Sequence, residues 1–178
     1  AACRVAEARG IADGRFLSVL FPSDQLTILD YNRVVKDLAG LTPEAFLARL
    51  GETFHVQLAA EPTKPSVHHH IGLYLGDQWY ALALHDAVDA DTDPVAALDV
   101  AVLSSRILEP ILGIMDPRID PRIDFVGGVR GLAGLEARVA SGDWAAAFAL
   151  FPTAMDELMS VADGGDVMPP KSTWFEPK

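Results

Sequence analysis

The side chains best suited to chemistry lie at the end of the chain, in the segment Val167–Lys178, which we call the terminal strip. Lys171, Ser172 and Thr173 follow one another there and offer an ammonium and two hydroxyl groups, which are residue types that bind phosphate. No glycine-rich loop precedes them as in a P-loop. A binding role and a purely structural role both stay open for the strip, and its candidate binding residues are Lys171, Ser172, Thr173, Glu176 and Lys178.

The prolines of the terminal strip predict its shape. Pro169, Pro170 and Pro177 fix their own φ angles and favour extended geometry in the residues before them. We therefore expect a stiff, open segment with little regular hydrogen bonding, whose side chains are available for contacts.

Arg33 is a second candidate for anion recognition. It follows a predicted strand that ends at Tyr31, and clefts often form at strand ends. A guanidinium is planar and suits carboxylate or phosphate groups. A surface ion pair with one of the many acidic side chains is the alternative interpretation of Arg33.

Three other polar patterns are weaker. His68–His70 could bind a metal, but consecutive strand residues point to alternating faces, so a solvated strand entrance is favoured. The acidic stretch Asp86–Asp93 lacks the central glycine and closing glutamate of a calcium loop, and we predict no metal site. Gly127–Gly134 fits no nucleotide-binding fingerprint, so tight backbone packing is favoured over phosphate binding. His55 and His85 are isolated in the sequence.

Composition limits the class of protein. The 178 residues are half hydrophobic and predict a single folded domain over 1–178. A net charge of -11 argues against binding to nucleic acid, and no apolar run approaches the length of a membrane span. The single cysteine, Cys3, predicts a reducing cytoplasm. The first residue is Ala1 rather than methionine, so we expect a C-terminal part of a longer protein.

Local patterns predict both strands and helices. The hairpin formed by 70–75 and 79–84 is the clearest element, and Thr42-Pro43 is the clearest helix start. We predict an α+β (mixed α/β) fold with an antiparallel or mixed sheet and helices packed against it. The other expected strands cover 16–21, 26–31, 53–58, 123–126 and 145–151, and the first two of these should pair with each other. The other expected helices cover 1–9, 95–108, 132–139 and 153–161, and Thr153 should cap the last of them.

Several sequence motifs together resemble the domain-of-unknown-function 1015 family. They are Leu20–Leu26, Asp30–Val35, Leu73–Leu75 with Trp79-Tyr80, Leu98–Val100, Ile111–Ile114 and Met168–Lys178. That family carries an Asp-Gly-His-His-Arg signature like that of ParB-type proteins, and the resemblance places it just before Ala1. Ile11–Gly14 is similar to the start of the signature, but Arg15-Phe16 follow, so the motif is not assigned to these residues.

The resemblance implies an ATP-dependent kinase that phosphorylates free serine or a similar hydroxy amino acid. ATP and Mg²⁺ would be its cofactors, a small molecule its ligand, and the N-terminal half of the same protein its partner. Lys171, Ser172, Thr173 and Arg33 would supply binding contacts, and no catalytic base is identifiable. A non-catalytic ligand-sensing or protein-interaction module is the alternative, because no complete catalytic set is present.

Overall fold

The computed structural model describes residues 2–10, 17–86, 88, 90 and 93–178, and these form an α+β fold, as predicted. Every strand pairing in it is antiparallel. The helices are α1 (Ala2–Ala8), α2 (Pro43–Leu50), α3 (Asp99–Leu103), α4 (Gly131–Ala140) and α5 (Met155–Asp163). The strands are β1 (Leu26–Leu29), β2 (Tyr31–Val35), β3 (Phe54–Ala59), β4 (His70–Leu75), β5 (Gln78–Leu84), β6 (Ile123–Gly127), β7 (Ala146–Leu150) and β8 (Trp174–Pro177).

The main sheet has six strands in the order β3-β5-β4-β7-β2-β6. Strand β7 joins the β4–β5 hairpin to the β2–β6 pair, and all five of its residues are buried. Helices α2, α3 and α5 contribute Phe46, Val102 and Val161 to the core on one face of the sheet. Helix α4 contributes Leu135 to a smaller core on the other face. Alternate residues of β2 therefore face different layers, as strand geometry requires.

Two local predictions are confirmed in detail. The Thr42 side chain accepts a hydrogen bond from the backbone N–H of Ala45 at 3.2 Å, and Pro43 opens α2. The β4–β5 hairpin turns through Gly76 and Asp77, whose φ angles are 56° and 60°. Two central residues with positive φ suit the right-handed twist of a two-residue hairpin, which explains the short connection.

The first predicted hairpin is wrong. Phe16 lies outside the described residues, and 17–21 form no strand. The expected strand 26–31 divides at Asp30 into β1 and β2. Strand β1 pairs instead with β8, in a separate two-stranded sheet. The terminal strip is thus regularly hydrogen-bonded over Trp174–Pro177, contrary to the open segment that its prolines predicted, because β8 is an edge strand in which proline is tolerated.

Two helix predictions need correction. The helix expected over 95–108 is the short α3, followed by a π-helix over Ser104–Leu108. The Ser104 hydroxyl donates to the carbonyl of Val100 at 3.0 Å, a bond that competes with regular helical geometry. Helix α5 is not capped by Thr153; Ala154 is its N-cap residue, and Glu157 accepts from the N–H of Ala154 at 2.8 Å. Among the residues that the structure describes, no helix is long and apolar enough to cross a membrane.

Candidate functional site

Arg33 ties the main sheet to the terminal strip. Its side chain is 4% exposed, and its guanidinium donates to the carbonyl of Tyr31 and, at 2.9 Å, to the carbonyl of Lys171. The guanidinium carbon lies 5.0 Å from the ring centroid of Phe125. Burial lowers the pKa of Arg33 to about 9, while the neighbouring Tyr31 acts in the opposite direction. The two carbonyls and the aromatic faces therefore offset the cost of burying this cation.

Lys171 is the exposed cation of the site. Its backbone has a φ of 57°, in the left-handed region that few non-glycine residues adopt. Its ammonium lies 5.7 Å from the ring centroid of Tyr31, on which Arg33 also packs. Arg33 and Lys171, predicted separately from the sequence, are thus brought together on one aromatic ring.

The two hydroxyl residues of the strip are less accessible than Lys171. Ser172 is buried, and its carbonyl accepts a hydrogen bond from the hydroxyl of Thr153 at 3.1 Å. Thr173 is half-buried. Lys171 and Thr173 are therefore more accessible to a ligand than Ser172, and Glu176 and Lys178 are half-buried and exposed, respectively.

Trp174 packs on the same tyrosine as Lys171, and Glu176 holds its indole ring. The indole N–H of Trp174 donates to Glu176 at 2.6 Å, and its ring packs edge to face on Tyr31 with centroids 5.6 Å apart. A Cβ added to Gly127 would lie 2.8 Å from the indole ring, so glycine permits the close approach. Gly128 likewise packs against Asp30. Tight packing, the favoured interpretation of these two glycines, is confirmed.

The charge near Lys171 is partly balanced by Asp124. Burial disfavours the ionised form of Asp124, but hydrogen bonds from Arg138 and the backbone of Phe125, together with the charge of Lys171, outweigh it and lower its pKa. Asp124 therefore remains an anion paired with Arg138. The ammonium of Lys171 is left facing solvent on the ring of Tyr31.

Lys178 lies at the opposite end of the strip, beside a cleft of about 360 Å³. Its backbone N–H donates to the carbonyl of Gln25 at 3.0 Å, which fixes the end of β8. Three hydroxyl groups share the cleft with this lysine. We call it the Lys178 cleft, and its lining residues are Ser23, Leu26, Thr27, Ile28, Phe151, Pro152, Thr153, Ala154, Met155 and Lys178. Lys171 and Lys178 thus lie before and after β8 in the strip, and Thr153 contacts the strip between them, at Ser172.

Sequence reasoning missed the supports of this site. Tyr31, Phe125 and Trp174 form its aromatic layer, and only the alternation Tyr31-x-Arg33 in a strand signals that two of the residues share a face. A buried carboxylate, Asp30, accepts from Asn32 at 2.5 Å and from Lys64 at 2.8 Å. No local pattern predicts this contact, because Lys64 comes from a loop distant in sequence.

Metal and cofactor binding differ in how far the side chains support them. Within residues 2–10, 17–86, 88, 90 and 93–178, no group of three or more His, Cys, Asp or Glu could hold a metal ion. The exposed ammonium of Lys171 beside aromatic rings fits a phosphate group attached to a base or an amino acid. A Mg²⁺ ion would then depend on phosphate oxygens and water for most of its ligands.

Sequence comparison now identifies the family. The model of the family described as "Protein of unknown function (DUF1015)" matches residues 1–101, which is more than half of the chain. The chain belongs to this family. A search of curated protein sequences finds no match.

Solved structures show only weak likeness. A free serine kinase in complex with AMP is 16% identical with a TM-score of 0.47, and the alignment covers 86% of this chain and 55% of that chain. A variant of a free serine kinase in complex with ADP is 18% identical, with a TM-score of 0.46 and the same coverage. A conserved hypothetical protein from Pyrococcus furiosus is 14% identical, with a TM-score of 0.47, and covers 87% and 58%. This chain spans little more than half of their lengths, and TM-scores below 0.5 assign it no activity.

Proposed function

We propose that this chain supplies the ligand-binding part of an ATP-dependent kinase that phosphorylates free serine or a similar small hydroxy amino acid. The observation that carries the proposal is the convergence of Arg33 and Lys171 on Tyr31. The buried cation fixes the backbone of the exposed one, so the ammonium is held in place rather than left on a mobile tail. Phosphoryl transfer depends mainly on such positioning and on neutralising phosphate charge.

The surroundings of Lys171 suit a phosphorylated ligand. The chain carries a net charge of -11, so a fixed cation on an aromatic face is a local exception to its field. Thr173 is a half-buried hydroxyl residue two positions further along the strip, and Trp174 and Tyr31 add flat apolar surface. Lys171 would contact phosphate or substrate carboxylate, and Thr173 would donate a hydrogen bond to the same group. When bound, Mg²⁺ would neutralise phosphate charge.

The direct test uses the protein at its full natural length with ATP, Mg²⁺ and L-serine. We expect ADP and O-phosphoserine to form together, and Lys171→Met to reduce kcat/KM by at least about tenfold, as loss of a charged ligand contact would. Lys36→Met is the matched control, because Lys36 packs on Trp144 and not on Tyr31. Absence of phosphoserine and ADP above background would contradict the kinase proposal.

A second candidate is a non-catalytic ligand-sensing module. It is favoured by the pairing of Asp124 with Arg138, which leaves that carboxylate engaged rather than poised to take a proton from a hydroxyl substrate. Calorimetry with AMP, ADP, ATP and L-serine separates the two proposals. Binding that depends on Lys171 without any turnover supports sensing, whereas binding with turnover supports the kinase.

A further inference from the structure

A cluster of three titratable side chains lies behind one wall of the Lys178 cleft. The His68 ring packs edge to face on Phe151, with centroids 4.6 Å apart, and Phe151 lines the cleft. Nδ1 of His68 lies 3.1 Å from Oδ2 of Asp99 and 3.4 Å from Oε1 of Glu157. The cluster thus joins three separate parts of the chain: the loop before β4, the start of α3 and the first turn of α5.

Asp99 is built into the structure as the fixed point of this cluster. It is 6% exposed, and its second oxygen accepts from the backbone N–H of His69 at 2.7 Å. His69 adopts a φ of 61°, and its ring donates from Nε2 to the carbonyl of Ala97 at 2.9 Å. A non-glycine residue in this conformation needs surrounding contacts to hold it. His68 and His69 are therefore anchored to Asp99, which corrects the prediction of a solvated strand entrance for these two residues; His70, the first residue of β4, is exposed as predicted.

Glu157 connects the cluster to the cleft. Its Oε2 accepts from the N–H of Ala154 at 2.8 Å, while its Oε1 faces His68. Ala154 and Thr153 line the cleft, and the Thr153 hydroxyl donates to the carbonyl of Ser172 in the terminal strip. A change in the position of Glu157 would therefore be transmitted, through its hydrogen bond with Ala154, to the backbone that lines the cleft.

The protonation of His68 decides how many carboxylates it can hold. A neutral imidazole with its proton on Nδ1 donates to one carboxylate, and Asp99 is the closer. A charged imidazolium attracts both carboxylates. Burial raises the pKa values of Asp99 and Glu157, and the charge of His68 opposes this shift in each case. The other charged groups acting on the cluster are His69, on Asp99, and Asp156, on Glu157.

We propose that His68 is a proton-controlled positioning residue for the Lys178 cleft. Charged His68 holds Asp99 and Glu157 together and fixes the first turn of α5. Loss of that proton leaves two neighbouring carboxylates without a shared cation, so Glu157 separates from His68 and the Thr153–Ala154 backbone loosens. The inference goes beyond the proposed function, which places the ligand at Lys171 and not in this cleft.

Nuclear magnetic resonance of the nucleotide-free protein tests the inference directly. We expect the amide signals of Thr153 and Ala154 to shift with pH between pH 5 and pH 8, the range in which histidine side chains generally change charge. His68→Asn should abolish that shift. His85→Gln is the matched control and should leave it intact, because His85 packs on His55, an unpredicted pairing with ring centroids 4.3 Å apart.

A second variant keeps the test decisive if His68→Asn fails to fold. Glu157→Gln retains an oxygen for the Ala154 N–H but removes the charge, so the pH-dependent shift of the Ala154 signal should shrink. Sulfate is the probe for the cleft, because it keeps its charge over this range, unlike phosphate. Its dissociation constant, measured from the shift of the Thr27 signal, should be at least twofold higher at pH 8 than at pH 6 in the native protein. In His68→Asn, the dissociation constants at the two pH values should be equal.

Two outcomes would overturn the inference: Thr153 and Ala154 signals that do not move between pH 5 and pH 8, or signals that still titrate in both variants. None of these measurements needs ATP or turnover. Failure of the kinase proposal would therefore leave the result for His68 unaffected, and failure here would leave the role of Lys171 unaffected.

Discussion

The guanidinium of Arg33 donates to the backbone carbonyl of Lys171 across 138 positions of sequence, at 2.9 Å. This one bond fixes the terminal strip on the main sheet at the residue where the strip adopts a positive φ. It also gives the two predicted cations different roles. Arg33 is engaged with backbone carbonyls and supports the site, whereas Lys171 is exposed and available to a ligand.

Replacement of Arg33 tests whether this residue supports the site rather than binding the ligand. Arg33→Met leaves the carbonyls of Tyr31 and Lys171 without their donor, and we expect a loss of about 1–3 kcal/mol in the free energy of unfolding. Urea unfolding measures it, and amide hydrogen exchange should become faster in β8. Arg118→Met is the control and should change stability far less, because Arg118 is exposed and its described ion pair is with Asp116. Equal effects of the two substitutions would contradict a supporting role for Arg33.

Gly127 and Trp174 offer a steric test of how the strip packs. The φ of Gly127 is -62°, so alanine meets no backbone strain there, but its Cβ would lie 2.8 Å from the indole ring. We expect Gly127→Ala to cost about 1–3 kcal/mol, which is typical of overpacking. In a Trp174→Ala background, the same substitution should be neutral or stabilising by up to about 1 kcal/mol, since it then only restricts the unfolded chain. A cost unchanged by removal of the indole would show that another contact is responsible.

The difference between local and distant contacts explains what could be predicted. The β4–β5 hairpin and the start of α2 depend on residues adjacent in sequence, and both were predicted correctly. The β1–β8 pairing joins residues as far apart as Leu26 and Pro177, and neither segment carries a signal for its partner. The adjacent run 17–21 has the apolar character of a strand, and local reasoning assigned it that role.

In the candidate site, too, residue types could be predicted from the sequence, whereas contacts between distant segments could not. Arg33 and Lys171 were singled out by residue type, because guanidinium and ammonium groups suit anions wherever they lie. Their contact, and the aromatic layer of Tyr31 and Trp174 beneath them, depends on how the strip returns to β2. The anchoring of His68 by Asp99 was missed for the same reason, since the partner comes from α3.

The Asp124–Arg138 pair predicts a specific pH dependence. The pKa of Asp124 is lowered in the folded protein, so its contribution to stability is present above its ordinary pKa of about 4 and is lost as pH falls through the folded value. Arg138→Met removes the hydrogen bond that favours the anion. The difference in unfolding free energy between the native protein and Arg138→Met should therefore shrink below about pH 4. Urea unfolding between pH 2.5 and pH 7 tests this, and a difference that grows on acidification would contradict the assigned direction.

The buried carboxylate of Asp30 should depend on Lys64. Asp30 is 3% exposed, and Lys64 contacts it at 2.8 Å while remaining half-exposed. In Lys64→Met, Asn32 is the remaining side-chain donor to this buried anion among the described contacts. We expect the free energy of unfolding to fall by about 1–3 kcal/mol. This is less than the loss expected for a fully buried pair, because solvent screens the lysine. Asp30→Asn added to Lys64→Met should recover part of this loss, because it removes the uncompensated charge while keeping a polar group beside Gly128. Thermal and urea unfolding of the two single variants and the double variant measure the coupling. Strictly additive losses would show that Lys64 acts through packing of its loop and not through the charge of Asp30.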